Sequence, residues 1–351
     1  MMATYLYRCY FEGPVHFGVA GIGMEGAEPT LSSDSIVSAL VNAFSVLKGR
    51  EAADRLVSEL NSERPPFVLS SLFPFGPDKE TGNSVTEALV RPLAPPEVES
   101  ADIVRAYAKD LKKIKFLSLQ DFLLWSGDRP LEEKELETIV SRGQELTEGW
   151  WNEELRPRVA LDRNSQNSSI WSQAAIWFGK RKVHVDGKLF ELESGLYGLV
   201  HFNDESWKES LAHAFRLLGD LGLGGERTYG FGLFRFGGFE EPNDLWRKVL
   251  SGSRRRKVLL SLYYPSEAER QGLAQDLEAW DFIEKRGYIV SGRNTTTIKR
   301  KRVRMLVEGT VARRNLRGTM VDVTPENAET LGIPHRVYRC GLAFMVPTGD
   351  G

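Results

Sequence analysis

Two periods of apolar residues divide this chain into an ordered series of elements. Tyr5-Leu-Tyr-Arg-Cys-Tyr-Phe11 is dense in aromatic and apolar residues and stops at Gly13-Pro14, so it predicts a first strand. A glycine-bearing loop follows and delivers the chain to Ser32-Ser33-Asp34, an N-cap cluster. Behind it Ile36, Val37, Leu40, Val41, Phe44 and Leu47 recur at helical spacing. Residues 67 to 75 predict the next strand. Leu196-Tyr-Gly-Leu-Val-His-Phe202 predicts another, and the capping-box spacing Ser206 to Glu209 opens a helix with Trp207, Leu211, Phe215 and Leu218 on one face. A strand over Leu233-Phe-Arg-Phe236 closes the series.

Between about 76 and 191 the pattern is irregular and broken by prolines, which predicts an insertion. Within it Leu131 to Glu154 predicts an acidic helix ending at Trp150-Trp151, which would dock its aromatics and turn its charge to solvent; the alternative is that the two tryptophans are exposed in the isolated chain and covered only in an assembly. Arg156 to Ser169 combines three arginines with small polar residues, as in an exposed arm, and Ile170 to Val185 would be its return strand. With the insertion set aside, residues 1 to 240 read strand, helix, strand, strand, helix, strand, the split βαβ order of a ferredoxin-like (RRM-like) domain. The order restarts with a strand at Lys257 to Tyr264. The Ser266 to Glu269 capping box then opens a helix bearing Leu273, Leu277 and Trp280, and strands follow at Tyr288 to Val290, Val303 to Val307 and Tyr338 to Val346. The expectation is an α+β protein of two ferredoxin-like domains, 1–240 with a thumb-like β-hairpin and helical insertion and 241–351, divided near Glu241-Pro-Asn.

Composition narrows the function classes. At 351 residues, 41% hydrophobic and 27% charged, the chain has the profile of a globular protein with two cores. No apolar run reaches the length of a membrane span and the N-terminus has no signal-peptide pattern, so a cytoplasmic location is expected. Cys9 and Cys340 are far apart and the five histidines are scattered, which gives no disulfide framework and no metal-ligand spacing; no cofactor is expected. The net charge of −2 conceals an asymmetry: residues 245–351 hold 20 Lys and Arg against 11 Asp and Glu, leaving 26 against 37 in the remainder. The basic segment suits a polyanion or a solvated face equally.

The candidate chemistry gathers in Gly222-Leu-Gly-Gly-Glu-Arg-Thr-Tyr-Gly-Phe-Gly232, where a helical pattern ends and a strand pattern begins. Glycines allow positive φ and close backbone approach, and such a loop offers N–H groups to a phosphate. It is neither of the common nucleotide motifs. A dinucleotide fingerprint needs glycine at the position of Arg227 and runs from strand into helix, and a P-loop needs Lys and Ser or Thr after Gly230.

The glycine loop resembles the signature of the repeat-associated RNA-binding (RAMP) proteins of CRISPR systems. Four ordered blocks resemble, more narrowly, the Cas-five-like subunit of type III-A effector complexes, the fourth Csm subunit. They are Gly13-Pro-Val-His-Phe-Gly18, Ser33-Asp-Ser-Ile-Val-Ser-Ala-Leu40, Arg158-Val-Ala-Leu-Asp-Arg163 and His335-Arg-Val-Tyr-Arg-Cys-Gly-Leu-Ala-Phe344. The resemblance implies a non-catalytic subunit of an antiviral defence complex that holds the repeat-derived 5′ handle of the guide RNA (crRNA). It would join the Cas-ten-type large subunit to the RNA-tracking backbone subunits and meet target RNA only indirectly, through the guide.

Residue roles follow from how single-stranded RNA is bound: backbone donors, cations on phosphates and aromatics on bases. Gly222, Gly224, Gly225, Gly230 and Gly232 would shape the loop and Arg227 would meet a phosphate. Tyr229 would pack beside the loop or a base, or be a core tyrosine. Arg156, Arg158 and Arg163 would be RNA contacts of the arm, and Ser33 and His16 join the RNA-binding set. An alternative reading makes the chain a metal-independent endoribonuclease of repeat RNA with His16 as general base. Asp34 invites a similar thought, because backbone subunits of such complexes cut RNA with an aspartate in a comparable loop, but its N-cap position explains it without chemistry. The clusters Arg254 to Lys257, Lys299 to Arg304 and Arg313 to Arg317 are equally compatible with RNA, with the large subunit and with charged strand edges.

Overall fold

The computed structural model describes residues 3–19, 23–78, 84–127, 129–161, 168–185, 188–252, 256–289, 298–333 and 335–348. The elements of the N-terminal half begin with β1 (Ala3–Phe11), α1 (Ser33–Lys48), α2 (Arg50–Leu60), β2 (Phe67–Leu69), β3 (Phe73–Pro77) and β4 (Val85–Val90). Next come α3 (Ala101–Lys113), β5 (Phe116–Ser118), α4 (Leu119–Trp125), α5 (Glu133–Glu145), β6 (Trp151–Leu161), β7 (Ser168–Phe178), β8 (Lys180–Val185) and β9 (Lys188–Glu193). The half closes with β10 (Gly195–Phe202), α6 (Trp207–Leu221), β11 (Phe234–Glu240) and α7 (Asp244–Ser251).

One antiparallel sheet runs β11-β1-β10-β3-β4-β5, with β2 also paired to β10. Counting β2 and β3 as one interrupted strand, its principal strands lie in the order fourth, first, third, second. Successive side chains of β1 point to opposite faces, and both faces are covered. Tyr7 and Cys9 enter the core beneath α1 and α6, whereas Leu6 joins Tyr197 and Leu199 in a second core with α4, α5 and α7. Cover on both faces explains why β10 reads as an unbroken apolar run rather than an alternating one.

The expected strand over 67–75 is interrupted, for a physical reason. Ser70 N–H donates to Leu199 O at 2.9 Å while Ser70 Oγ accepts Leu199 N–H at 2.8 Å, and Ser71 N–H turns away to Leu260 O at 2.8 Å. The sheet thus hands one backbone bond to the C-terminal half. Much of the expected insertion is likewise integral, since β4 and β5 extend the sheet and α4 and α5 close its second core. The acidic helix is shorter than expected. Trp150 lies beyond its end at 2% exposure, with Nε1 donating to Pro77 O at 3.1 Å, and Trp151 packs partly buried against both cores. These aromatics are therefore docked within the chain itself, and the alternative that only an assembly would bury them does not hold.

The capping box expected at Ser206 does not form; Asp204 Oδ1 accepts the Ser206 N–H instead, at 3.0 Å. In the C-terminal half a four-stranded antiparallel sheet contains β12 (Lys257–Leu259) and the segments Leu277–Ala279, Val311–Ala312 and Met345–Pro347. They too lie in the order fourth, first, third, second. The long helix expected after Pro265 is replaced by two four-residue turns, Glu267–Arg270 and Leu273–Asp276. Gly272, at φ +80°, separates them, and Leu277, assigned to that helix by spacing, pairs as strand with Ala312. The Ser266–Glu269 capping box does form.

Candidate nucleic-acid interface

The segment Gly13–Gly18 is the hub of the candidate site because it is bonded on two sides. On one side Pro14 O accepts Gly232 N–H at 2.8 Å and His16 O accepts Gly225 N–H at 2.9 Å, which fastens the glycine-rich loop. On the other Val15 and Ile176 exchange two backbone bonds of 2.9 Å, and His16 Nδ1 donates to Ala174 O at 2.8 Å, which fastens the β6–β7 hairpin. A six-residue stretch after the first strand thereby brings together a hairpin and a loop far apart in sequence.

The loop's backbone is committed to its shape. Gly222, Gly224, Gly230 and Gly232 all have φ between +77° and +92°, and a Cβ at Gly232 would stand 1.9 Å from Leu223 O. Glu226, at φ +57°, is the non-glycine exception, and Arg227–Tyr229 form one turn of 3₁₀ helix. The N–H groups of Leu223, Gly225, Tyr229, Gly230 and Gly232 are satisfied by backbone oxygens. Those of Gly224, Glu226, Arg227 and Thr228 carry no backbone partner among the described residues. The donors available to a phosphate are therefore at the tip, not at the glycines that open and close the loop.

Side chains meet above this tip. Tyr229 is 67% exposed, so it is not a core residue, and the Arg158 guanidinium from β6 lies 5.0 Å from its ring centroid. Arg158 Nε donates to Gln173 Oε1 at 2.8 Å, which aims the guanidinium, and no carboxylate pairs with Arg158 or Arg227 among the described residues. Arg156 is differently employed. It pairs with Glu154 at 2.7 Å and lies over Trp177, whose Nε1 also donates to Glu154, and its hydrogen bond holds the Glu154 carboxyl below the ordinary value. Arg163 lies outside the described residues.

His16 is 8% exposed. Its Nδ1 is spent on Ala174, and its ring faces Gly225, where a Cβ would come within 3.0 Å of Cδ2. Ser33 is placed away from the tip, at 1% exposure in the junction between the two halves. Its N–H donates to Ser71 Oγ at 2.9 Å and its Oγ accepts Leu262 N–H at 3.0 Å. Asp34 beside it is fully buried, paired with Arg339 and, at 3.5 Å, with Lys285, and it accepts from Ser32 Oγ at 2.6 Å. Burial opposes its ionisation, but Lys285 and Arg339 outweigh that and hold the carboxyl below its usual range. Nearby Ser71 Oγ donates to Glu308, and desolvation pushes the Glu308 carboxyl up although the residue as a whole is only half-buried.

A cleft of about 1660 Å³ runs from the loop, along the N-terminal end of α1, to the C-terminal half. Gly222 to Gly225 and Arg227 line it, as do Arg91 and the lysines at 112, 113 and 115, and residues 281–288 with Arg300 and Arg339. The sequence pattern gave no notice of Gln173, Trp177 or the lysines; only the alternation of Trp171, Gln173 and Trp177 on one face of β7 could have signalled the first two. No helix of the described residues is long and apolar enough to cross a membrane.

Comparison with known proteins places this geometry in a family. The model of the RAMP superfamily matches residues 8–235, and that of the CRISPR Csm4 C-terminal domain matches residues 253–348. A curated relative from Thermococcus onnurineus, CRISPR system Cms protein Csm4, is 29% identical over 323 residues that cover 89% of this chain and 89% of the relative. One of the same description from Methanocaldococcus jannaschii is 23% identical and covers 95% and 94%. Among solved structures, chains from Csm4-containing complexes match over 99% of both chains. One comes from a Csm1–Csm4 cassette in complex with cA4 (TM-score 0.58, 23% identity) and one from a Csm3–Csm4 subcomplex of the type III-A CRISPR-Cas interference complex (TM-score 0.57, 18% identity). At such identities the structural likeness speaks for the fold. The family matches tile most of the chain, and the chain therefore belongs to the RAMP superfamily, in its Csm4 branch.

Proposed function

We propose that this chain is a non-catalytic, RNA-holding subunit of a type III-A CRISPR effector complex, gripping the repeat-derived 5′ handle of the guide. The observation that carries the reading is the Arg158–Tyr229 contact at 5.0 Å. It joins the hairpin and the glycine loop into one surface of an exposed aromatic, a guanidinium with no carboxylate partner among the described residues, and N–H groups with no backbone partner among them, the three kinds of group that bases and phosphates require. Arg227 and Arg158 take phosphates, Tyr229 takes a base or sugar face, and the loop-tip amides complete the cradle; Arg156, held over Trp177 by Glu154, is a further contact of the hairpin. His16 acts through position, tying hairpin to loop. Asp34 serves as a latch between the halves, since its carboxylate is enclosed by two cations.

The shared fourth-first-third-second strand order supports reading both halves as ferredoxin-like, the second with its helices reduced to turns. The relatives assembled with Csm1 and Csm3 support a bridging position between a large subunit and a backbone subunit of the RAMP type. The test is to purify the complex through a tag on this chain, with and without Arg158→Ala and Arg227→Ala together, and to measure guide RNA per complex. The reading expects a fall of tenfold or more, as two charge-assisted contacts of ~1–3 kcal/mol each are lost. Unchanged guide content would refute it.

A further inference from the structure

The C-terminal half carries an aromatic surface that the handle grip does not use. Segment Phe282–Lys285 pairs antiparallel with Val303–Leu306, Glu284 opposite Arg304 and Ile283 opposite Met305. Alternation sends Ile283, Val303 and Met305 inward and leaves Phe282 and Arg304 on the outer face. Trp280 (53% exposed) stacks on Phe282 (47% exposed) with centroids 6.5 Å apart and planes 28° from parallel, and the Arg304 guanidinium lies 5.3 Å from the Phe282 ring centroid. Phe282 to Tyr288 line the same cleft as the glycine loop and Arg227.

The charge around these rings distinguishes them from the other basic clusters. Arg256, Arg313 and Arg314 are spent on Glu97, Glu278 and Asp276. By contrast Lys299 to Arg304 places five cations in six positions, and the ion pairs they make among the described residues are long ones, Glu284 at 4.0 Å from Arg302 and Glu326 at 3.9 Å from Lys301. Arg304 makes no ion pair within 4 Å among the described residues, although it stands opposite Glu284 and feels that carboxylate at longer range.

We propose that the Trp280–Phe282 pair is a second stacking platform for single-stranded RNA, with Arg302 and Arg304 on the flanking phosphates. A strand gripped at the glycine loop would continue along the cleft to this ladder. The proposal rests on the RNA-holding reading above. A string of phosphates is favoured over a protein partner because Lys299 to Arg304 sets five cations, two of them lysines, beside the Arg304–Phe282 contact, an excess of charge that a polyanion neutralises along its length and that includes the lysine a protein interface excludes from its core. Stacking on exposed aromatics, moreover, tolerates any base.

The test uses the full chain and fluorescein-labelled oligouridylates of about 6 and about 20 nucleotides, followed by anisotropy. Trp280→Ala with Phe282→Ala is expected to weaken the long probe about tenfold and leave the short one unchanged. Trp280→Phe with Phe282→Tyr should retain both. Arg302→Gln with Arg304→Gln should flatten the salt dependence for the long probe by about 1.4 in log–log slope. Full binding of the long probe by the double alanine variant, with Arg227→Ala still weakening it, overturns the platform and leaves the handle grip standing. Indifference to all these changes overturns both. Unchanged RNA affinity with loss of another subunit from the purified complex makes the surface a protein contact and overturns the proposal.

Discussion

Arg158 and Tyr229 lie 71 positions apart and meet because His16 and Val15 pin both of their elements. The consequence is specific to the contact. Tyr229→Phe preserves the ring under the guanidinium and should leave guide content within about twofold, whereas Tyr229→Ala removes the stacking face and should cost ~1–3 kcal/mol of RNA affinity, read by filter binding. Loop shape is tested by a glycine pair. At Gly232→Ala the new Cβ meets Leu223 O at 1.9 Å, so the loop must rearrange; at Gly230→Ala nothing lies within 4 Å and only the left-handed conformation is penalised, by about 1–2 kcal/mol. Thermal unfolding should show a clearly larger drop for the first.

Asp34 bears on stability rather than on RNA. Removing one partner of a buried ion pair leaves the other charge uncompensated, so Asp34→Asn should lower stability by about 3–5 kcal/mol near neutral pH. Because the folded pKa is depressed, the carboxylate's contribution is fully present above the ordinary value of 3.8 and lost as pH falls through the folded one. The stability gap between wild type and Asp34→Asn should therefore be constant in neutral solution and close in acid below about pH 4, measured by thermal melts across pH. A gap that widened on acidification would contradict the latch.

Among elements, the hairpin separates holding from folding. Its outer part is exposed, Leu155, Val159, Leu161 and Ile170 included, while Ile176 is buried against the hub. Replacing residues 155–174 by Asn-Gly would leave Glu154 opposite Ala175, the register that a two-residue turn closes. The shortened chain should melt within a few degrees of the full one, since little core is removed, yet lose most of its guide RNA. Element by element, legibility tracked locality. β1, α1, β10 and α6 follow from their own periodicity, although the caps expected of the two helices make no side-chain bond. The break at Ser70–Ser71, the burial of Trp150 and the loss of the helix after Pro265 each depend on partners more than thirty positions away, Leu199 and Leu260, Pro77 and Ala312. No local pattern carries such information. Ser33 illustrates the same point within the candidate site: its place in an N-cap cluster was legible, but its partner Leu262 was not.

At the scale of the whole molecule, the acidic and basic portions of the sequence meet across one cleft, with the glycine loop and hairpin at one part of its lining and the Lys299 to Arg304 cluster near another. The central claim is that this arrangement holds a guide RNA and does not cut it. It is tested most directly by purifying the complex through a tag on this chain and sequencing the 5′ ends of the RNA it retains, while the isolated chain is incubated with repeat RNA. The account predicts guides sharing one repeat-derived 5′ end and no cleavage by the chain alone. Cleavage by the isolated chain that is abolished by His16→Ala would contradict it, and so would retained RNA without a common 5′ end.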